Sequence, residues 1–362
     1  RGMKAVLYIN NSWEWSGGYG MYLEWAGAGK ALIPAESGYV PFMESVSRFV
    51  TNEKAKELYY NHVKHVVSRT NTVTGKAYKD DPAIFSWPIG NEPRCFRNDP
   101  EGQAAFVDFM WTSAAMIKSL DPNHMVSSGS EGRHGCEGSL ELFEKVHSCP
   151  DIDYMNIHIW PYNWSWVREN TLETNLPLAI TNTDIYIDEH LEVAAKYGKP
   201  VVIEEFGFPR DGFQFKQGTS TDSRDAYYTH VFGRIAKAAQ EDGLLAGLNF
   251  WGWGGLADQS ETNIYWQEGD DYCGDPAQEQ QGLNSVYACD ESTVAVIKNA
   301  TQAVEKALLP KAWFVLDKTS GIYTGKGPHA VEVGMYSSNV EKADVVLEVS
   351  TDFGEPVTEV VR

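Results

Sequence analysis

Six apolar runs of strand length recur along the chain, at 3–10, 84–92, 124–131, 152–160, 200–207 and 245–255, bounded by Gly, Pro and Asn. They are too continuous for half-exposed alternating strands and read as strands of a parallel sheet, buried on both faces. Segments of helical period lie between and after them, at 40–69, 102–120, 140–146, 183–197, 223–242 and 292–308. Asp99-Pro100-Glu101 and Thr221-Asp222-Ser223 have the composition of helix starts, and Tyr197-Gly198-Lys199-Pro200 stops a helix ahead of a strand. This alternation predicts an α/β fold around a parallel sheet. After Pro310 the texture changes: 330–336 and 343–349 alternate apolar with polar, with turn signals at Gly325-Lys326-Gly327-Pro328 and Ser338-Asn339. The expected division is 1–310, a strand–helix domain, and 311–362, a small β-rich segment of sandwich type.

Composition narrows the function. The chain has 362 residues, with 30 basic against 50 acidic side chains and a net charge of −20. Such a surface repels phosphate, so neither nucleic acid nor an anionic membrane is an expected partner. No apolar run is long enough to span a membrane, and 43% hydrophobic residues are ample for a core. The opening Arg1-Gly2-Met3-Lys4-Ala5-Val6 reads as the start of a strand rather than as a leader. The five cysteines contain no CxxC. Two readings stay open: Cys136 paired with Cys149 and Cys273 with Cys289, or five thiols. The acidic loop from Glu268 to Asp275 lacks EF-hand spacing and reads as solvated surface. His62, His65, His134 and His147 lack partners at ligand spacing and read as surface or core residues. Neither a metal nor another cofactor is expected.

Chemistry-bearing residues gather at the carboxyl ends of the predicted strands: Asn10-Asn11-Ser12-Trp13, Asn91-Glu92-Pro93-Arg94, Ser130-Glu131, His158-Ile159-Trp160, Glu204-Glu205-Phe206-Gly207 and Trp251-Gly252-Trp253. In an α/β barrel that rim holds the active site. Two carboxylates on different strands suit glycoside hydrolysis, one protonating the departing oxygen and the other attacking the anomeric carbon or activating water. Glu92 and Glu205 are the candidates. On a regular strand Glu204 faces away from Glu205, which gives it a structural role. The 12 Trp include Trp13, Trp160, Trp251 and Trp253 at strand ends, placed as stacking surfaces for sugar rings.

These motifs resemble glycoside hydrolase family 5, whose members are (β/α)8 barrels of the TIM type. Asn91-Glu92-Pro93 is similar to the family's Asn-Glu-Pro, and Glu205-Phe206-Gly207 to its Glu-aromatic-Gly. The resemblance implies Glu92 as general acid/base, Glu205 as nucleophile and Asn91 as a partner of the sugar 2-hydroxyl. More finely, Asn91-Glu92-Pro93-Arg94-Cys95 and Asn10-Asn11-Ser12-Trp13 resemble motifs of endo-β-1,4-mannanases. That implies retaining, endo-acting cleavage of β-mannan, with Arg94 and Glu131 on the aglycone side, His158 in the active site and Trp251 under the reacting sugar. A β-1,4-glucanase and an inactive carbohydrate-binding protein are the alternatives. The family's His-x-Tyr stands here as His158-Ile159-Trp160, leaving Tyr162 or Trp160 to orient the nucleophile.

In that family the acid/base ends the fourth strand and the nucleophile the seventh, whereas Glu92 ends the second readable strand and Glu205 the fifth. The resemblance thus leaves two readings open: a piece of a longer protein, or an incomplete barrel with strands 3–8 whose two open edges a second copy of the chain would cover, with reduced activity expected. It also implies the loss of an Arg beside the nucleophile, for which Arg94, Arg210 or a neighbouring chain is the candidate substitute. A polymeric substrate implies an extracellular or cell-surface location.

Overall fold

The computed structural model describes residues 3–307 and, beyond them, the backbone of four strands: Ala312–Leu316, Val333–Ser337, Val345–Thr351 and Gly354–Val361. Arg1–Lys298 and Asn299–Arg362 form two compact units. In the second, Ala312–Leu316 pairs antiparallel with Val333–Ser337, and Val345–Thr351 with Gly354–Val361. The turn signals at 325–328 and 338–339 lie outside the described residues.

In the first unit each of the six apolar runs contributes a strand: β1 (Ala5–Val6), β2 (Ile84–Pro88), β3 (Met125–Ser127), β4 (Met155–Ile159), β5 (Val201–Phe206) and β6 (Leu245–Leu248). They pair in parallel as β1–β2–β3 and β4–β5–β6, and a parallel bridge between Ser127 and Tyr154 links the two halves. All five residues of β4 are buried, as expected of a strand covered on both faces. Among the described residues, β1 pairs only with β2 and β6 only with β5, so the sheet has two borders.

Helices α1 (Gly18–Trp25), α2 (Pro34–Ser37), α3 (Tyr39–Val46) and α4 (Glu53–Val67) follow β1. Further along come α5 (Pro100–Leu120), α6 (Leu140–His147), α7 (Leu176–Tyr197), α8 (Asp222–Glu241) and α9 (Glu291–Ala307). A short parallel pair, β7 (Trp253–Gly255) and β8 (Val286–Tyr287), completes the unit.

Local chemistry explains the boundaries. Asp99 caps α5, accepting from the Gly102 N–H at 2.9 Å with Pro100 in the first turn. Gly198 ends α7 in the left-handed region at φ 62°. Thr221 makes no cap; instead Asp211 accepts from the N–H groups of Asp222 and Ser223 at 2.7 and 3.0 Å. The periodic stretch 40–69 is two helices, because Asn52 caps a fresh start at Glu53, accepting from Ala55 N–H at 2.9 Å. Nothing in the sequence periodicity announced α1, which contains Gly18 and Gly20. Packing holds it, with the Tyr19 ring stacked on Phe49 at 4.1 Å. The five cysteines are all free thiols, four buried and Cys289 exposed, so the paired reading does not hold.

Candidate active site

Glu92 lies four residues beyond the end of β2 and takes a left-handed conformation at φ 47°, a rare geometry for a side-chain-bearing residue. Its N–H donates to the Gly129 carbonyl at 3.0 Å, and the Glu92 carbonyl accepts from the Ser12 hydroxyl. Gly129 is required there: at φ 74°, a Cβ would fall 1.9 Å from the Gly90 oxygen. Glu205 stands near the end of β5 at a bulge. Ile157 pairs with Ile203 but His158 pairs with Glu205, so Glu204 is passed over. Bulges of this kind re-aim side chains beside active sites. Glu204 goes into the strand-framed core, where Tyr8 and Tyr154 donate to its two oxygens at 2.7 and 2.8 Å. Burial holds that carboxyl above its usual range, against the pull of the two phenols.

The bulge brings three groups together. His158 Nδ1 lies 2.9 Å from one oxygen of Glu92 and 3.2 Å from one of Glu205. Burial alone would depress this imidazole, but the carboxylates of Glu205 and Glu92 outweigh it and hold it well above its ordinary value. A carboxylate oxygen of each glutamate and the imidazole nitrogen lie within 4.8 Å of one another, which is also cation-site spacing. The basic group beside Glu205 is thus His158. Arg210 is buried on Asp290 instead, and Arg94 ion-pairs with Glu131.

The expected neighbours arrive with altered roles. Trp13 lines the cleft and belongs to an aromatic cluster: its ring stacks on Phe42 at 5.9 Å, Arg94 sits over it, and its indole N–H donates to Glu92 at 2.5 Å. Glu131 is buried and held above its usual range by desolvation, with Arg94 opposing. Trp160 and Trp251 meet edge-to-face at 6.5 Å. Neither Trp160 nor Tyr162 supplies the missing tyrosine bond; Tyr162 points its hydroxyl at Glu169. Trp253 is not brought to the cleft. It is 57% exposed and packs edge-on against Phe250, since β7 turns its side chain outward.

Glu92, Arg94, Glu131, Trp160, Glu205 and Trp251 line a cleft of about 1050 Å³. A second cavity of about 910 Å³, lined by Asn91, Tyr8 and Asn11, shares Trp15, Glu205, Trp251 and Pro276 with it. Gly207 leaves room for the wall: a Cβ would sit 2.8 Å from the Trp160 ring and 2.9 Å from Asn284 Oδ1. Sequence reading missed several lining residues. His134 stacks on Trp164 at 3.9 Å and is pushed down to about 4 by burial. Asn284 and Glu279 come from the long β7–β8 connection. The sequence offered a faint signal there in Asp275. Far from being solvated, it is buried and ties the connection by accepting from Gly282 and Asn284 N–H at 2.9 and 3.0 Å.

Residues 1–308 match the family model described as GH family 5 beta-mannosidase-like. The chain belongs to glycoside hydrolase family 5. Among its relatives is mannan endo-1,4-beta-mannosidase 1 of Arabidopsis thaliana, 32% identical over 274 residues, covering 69% of this chain and 58% of that protein. The rice (Oryza sativa subsp. japonica) mannan endo-1,4-beta-mannosidase 1 is 31% identical, at 69% and 56% coverage. The chain thus spans somewhat over half the length of these plant relatives. The solved family 5 mannosidase from Rhizomucor miehei superposes with a TM-score of 0.74 at 31% identity, over 84% of this chain and 72% of that one. The fold of this family 5 member is accordingly of the (β/α)8 barrel type. An endo-1,4-beta-D-mannanase from Thermotoga petrophila RKU-1, at 22% identity and TM-score 0.60, shares the fold over 83% and 76% of the two chains.

Proposed function

We propose that this chain hydrolyses β-1,4-mannosidic links in mannan-type polysaccharides, with retention of anomeric configuration and attack within the polymer. The observation that carries this reading is the pairing of Glu92 and Glu205, their nearest carboxylate oxygens within 4.8 Å across a sugar-sized cleft. Retaining enzymes hold their carboxyl groups about 5–5.5 Å apart, whereas inverting ones need roughly 6.5–9.5 Å for an intervening water. The names of the plant relatives and the Rhizomucor miehei mannosidase support mannan as the substrate.

In this mechanism Glu205 attacks the anomeric carbon while Glu92 delivers its proton to the departing glycosidic oxygen. The glycosyl–Glu205 ester then breaks as water attacks, with Glu92 taking the water's proton. His158, 3.2 Å from Glu205, occupies the place beside the nucleophile that the family's arginine fills. Trp13 fixes the Glu92 carboxyl through its indole N–H, and Trp160 and Trp251 offer indole surface beside the reacting sugar. A polymeric substrate places the reaction outside the cell or at its surface.

The test is release of reducing ends from galactomannan and mannohexaose by the chain, beside Glu92→Ala and Glu205→Ala. Both variants are expected to lose hydrolysis by at least about 10³-fold while circular dichroism stays unchanged. Wild-type-like turnover in either rejects the assignment. Proton NMR of the first product reads the stereochemistry, and an initial α-anomer rejects retention.

A further inference from the structure

Glu279 is a further carboxyl group on the wall of the cleft that holds the proposed catalytic pair. The segment between β7 and β8 presents it on a turn closed by its own N–H donating to the Pro276 carbonyl at 2.9 Å. That turn is pinned from beneath. Gln281 Nε2 donates to the carbonyls of Asp275 and Pro276 at 2.8 and 3.0 Å, and Gln259 Nε2 holds the Gln281 carbonyl at 2.7 Å. Glu279 is therefore set in place by a built loop, and it lines the same cleft as Glu92, Glu205, Trp160, Trp251 and Asn284.

Its electrostatic setting differs from those of Glu131, Glu92, Glu205 and Glu204. Glu131 has Arg94, Glu92 and Glu205 share His158, and Glu204 has two phenols. Among the described residues, no side chain hydrogen-bonds or ion-pairs with the Glu279 carboxyl. The carboxylates of Asp275, Glu92 and Glu205 act on it, and it bears in turn on the phenols of Tyr39, Tyr162 and Tyr272. Burial first, then the three carboxylates, push it up to about 7. Burying a polar group without a partner is unfavourable, so a half-buried carboxyl aimed into a cleft is completed by whatever enters. Near neutral pH such a group donates through its O–H as well as accepts. Vicinal sugar hydroxyls, which both donate and accept, match it. An anionic sugar does not, because its charge would add to those of Glu92 and Glu205 on the same cleft wall.

We propose that Glu279 is a specificity-determining residue that hydrogen-bonds the hydroxyls of a neutral sugar unit bound beside Glu205. This rests on the mannan reading above and adds the residue that holds that unit.

The experiment compares wild type, Glu279→Gln and Glu279→Ala in mannotetraose hydrolysis and in calorimetric binding of mannotetraose to each chain. Glu279→Ala is expected to weaken binding and raise KM by about tenfold, the effect of one lost hydrogen bond, with kcat changed much less. Glu279→Gln keeps a donor and an acceptor and restores most of the affinity, but removes the change of KM with pH around neutrality. Affinity and KM in Glu279→Ala equal to wild type overturn the proposal. So do equal losses in Ala and Gln variants accompanied by a changed circular dichroism spectrum, which indicate a structural role. A wild-type chain that neither binds nor cleaves mannotetraose overturns the mannan reading and this proposal with it. Wild-type binding or turnover with an indifferent Glu279→Ala overturns this proposal alone.

Discussion

Replacing His158 by glutamine tests the electrostatics of the catalytic pair most directly. Glutamine keeps an N–H donor of similar reach and removes the positive charge. A unit cation 3.2 Å from a carboxylate, the separation of His158 from Glu205, is attracted by about 5 kcal/mol at an effective dielectric near 20. The amide recovers part of this through its hydrogen bond, so the acid limb of the pH–rate profile is expected to rise by at least about one unit. Stability carries the same signature. Because the folded-state imidazole is held above its unfolded value, its stabilising contribution is complete below about pH 6.5. It is lost as pH climbs through the folded value. Urea unfolding of the wild type should therefore show that decline, and His158→Gln should lack it. The assays are kcat/KM on mannohexaose and urea midpoints, both across pH 4–9. An acid limb in His158→Gln that coincides with wild type refutes the reasoning.

Four further outcomes are expected. Gly207→Ala forces Trp160 and Asn284 away from a new Cβ at 2.8 and 2.9 Å, at about 1–3 kcal/mol of stability and at least about tenfold in kcat/KM; unchanged kinetics would contradict the packing argument. Tyr8→Phe strips one donor from Glu204 and destabilises by about 1.5–3 kcal/mol at pH 7. Since Glu204 already binds its proton more tightly when folded, the loss should shrink toward pH 4, and equal losses at both values contradict the buried-charge reading. Dialysis against EDTA should leave turnover intact; a loss reversed by one divalent ion would make Glu92, His158 and Glu205 a cation site. The borders of β1 and β6, unpaired among the described residues, should give concentration-dependent self-association in light scattering, and a strict monomer at all concentrations argues against it.

The strand–helix alternation and the convergence of Glu92 with Glu205 were legible in the sequence because both rest on local patterns. A buried parallel strand announces itself as a continuous apolar run, and Glu92 and Glu205 close two such runs. The role of Trp13 was not legible, since only the fold brings Phe42 and Arg94 onto its ring. Trp253 misled for the same reason: a strand-end position does not fix the direction of a side chain once the strand has turned. The bulge that seats Glu205 against His158 depends on pairing between β4 and β5, which neither strand specifies alone. Glu279 was hidden in a long connection without period, organised by the burial of Asp275, a residue whose type suggests solvent.

The indoles at the catalytic pair have a practical use. Trp13 donates directly to Glu92, while Trp160 and Trp251 meet beside Glu205. Indole emission responds both to a nearby carboxyl losing its proton and to the expulsion of solvent. Ligand entry can therefore be followed by intrinsic fluorescence with an unlabelled oligosaccharide, even in a Glu205→Ala chain that turns nothing over.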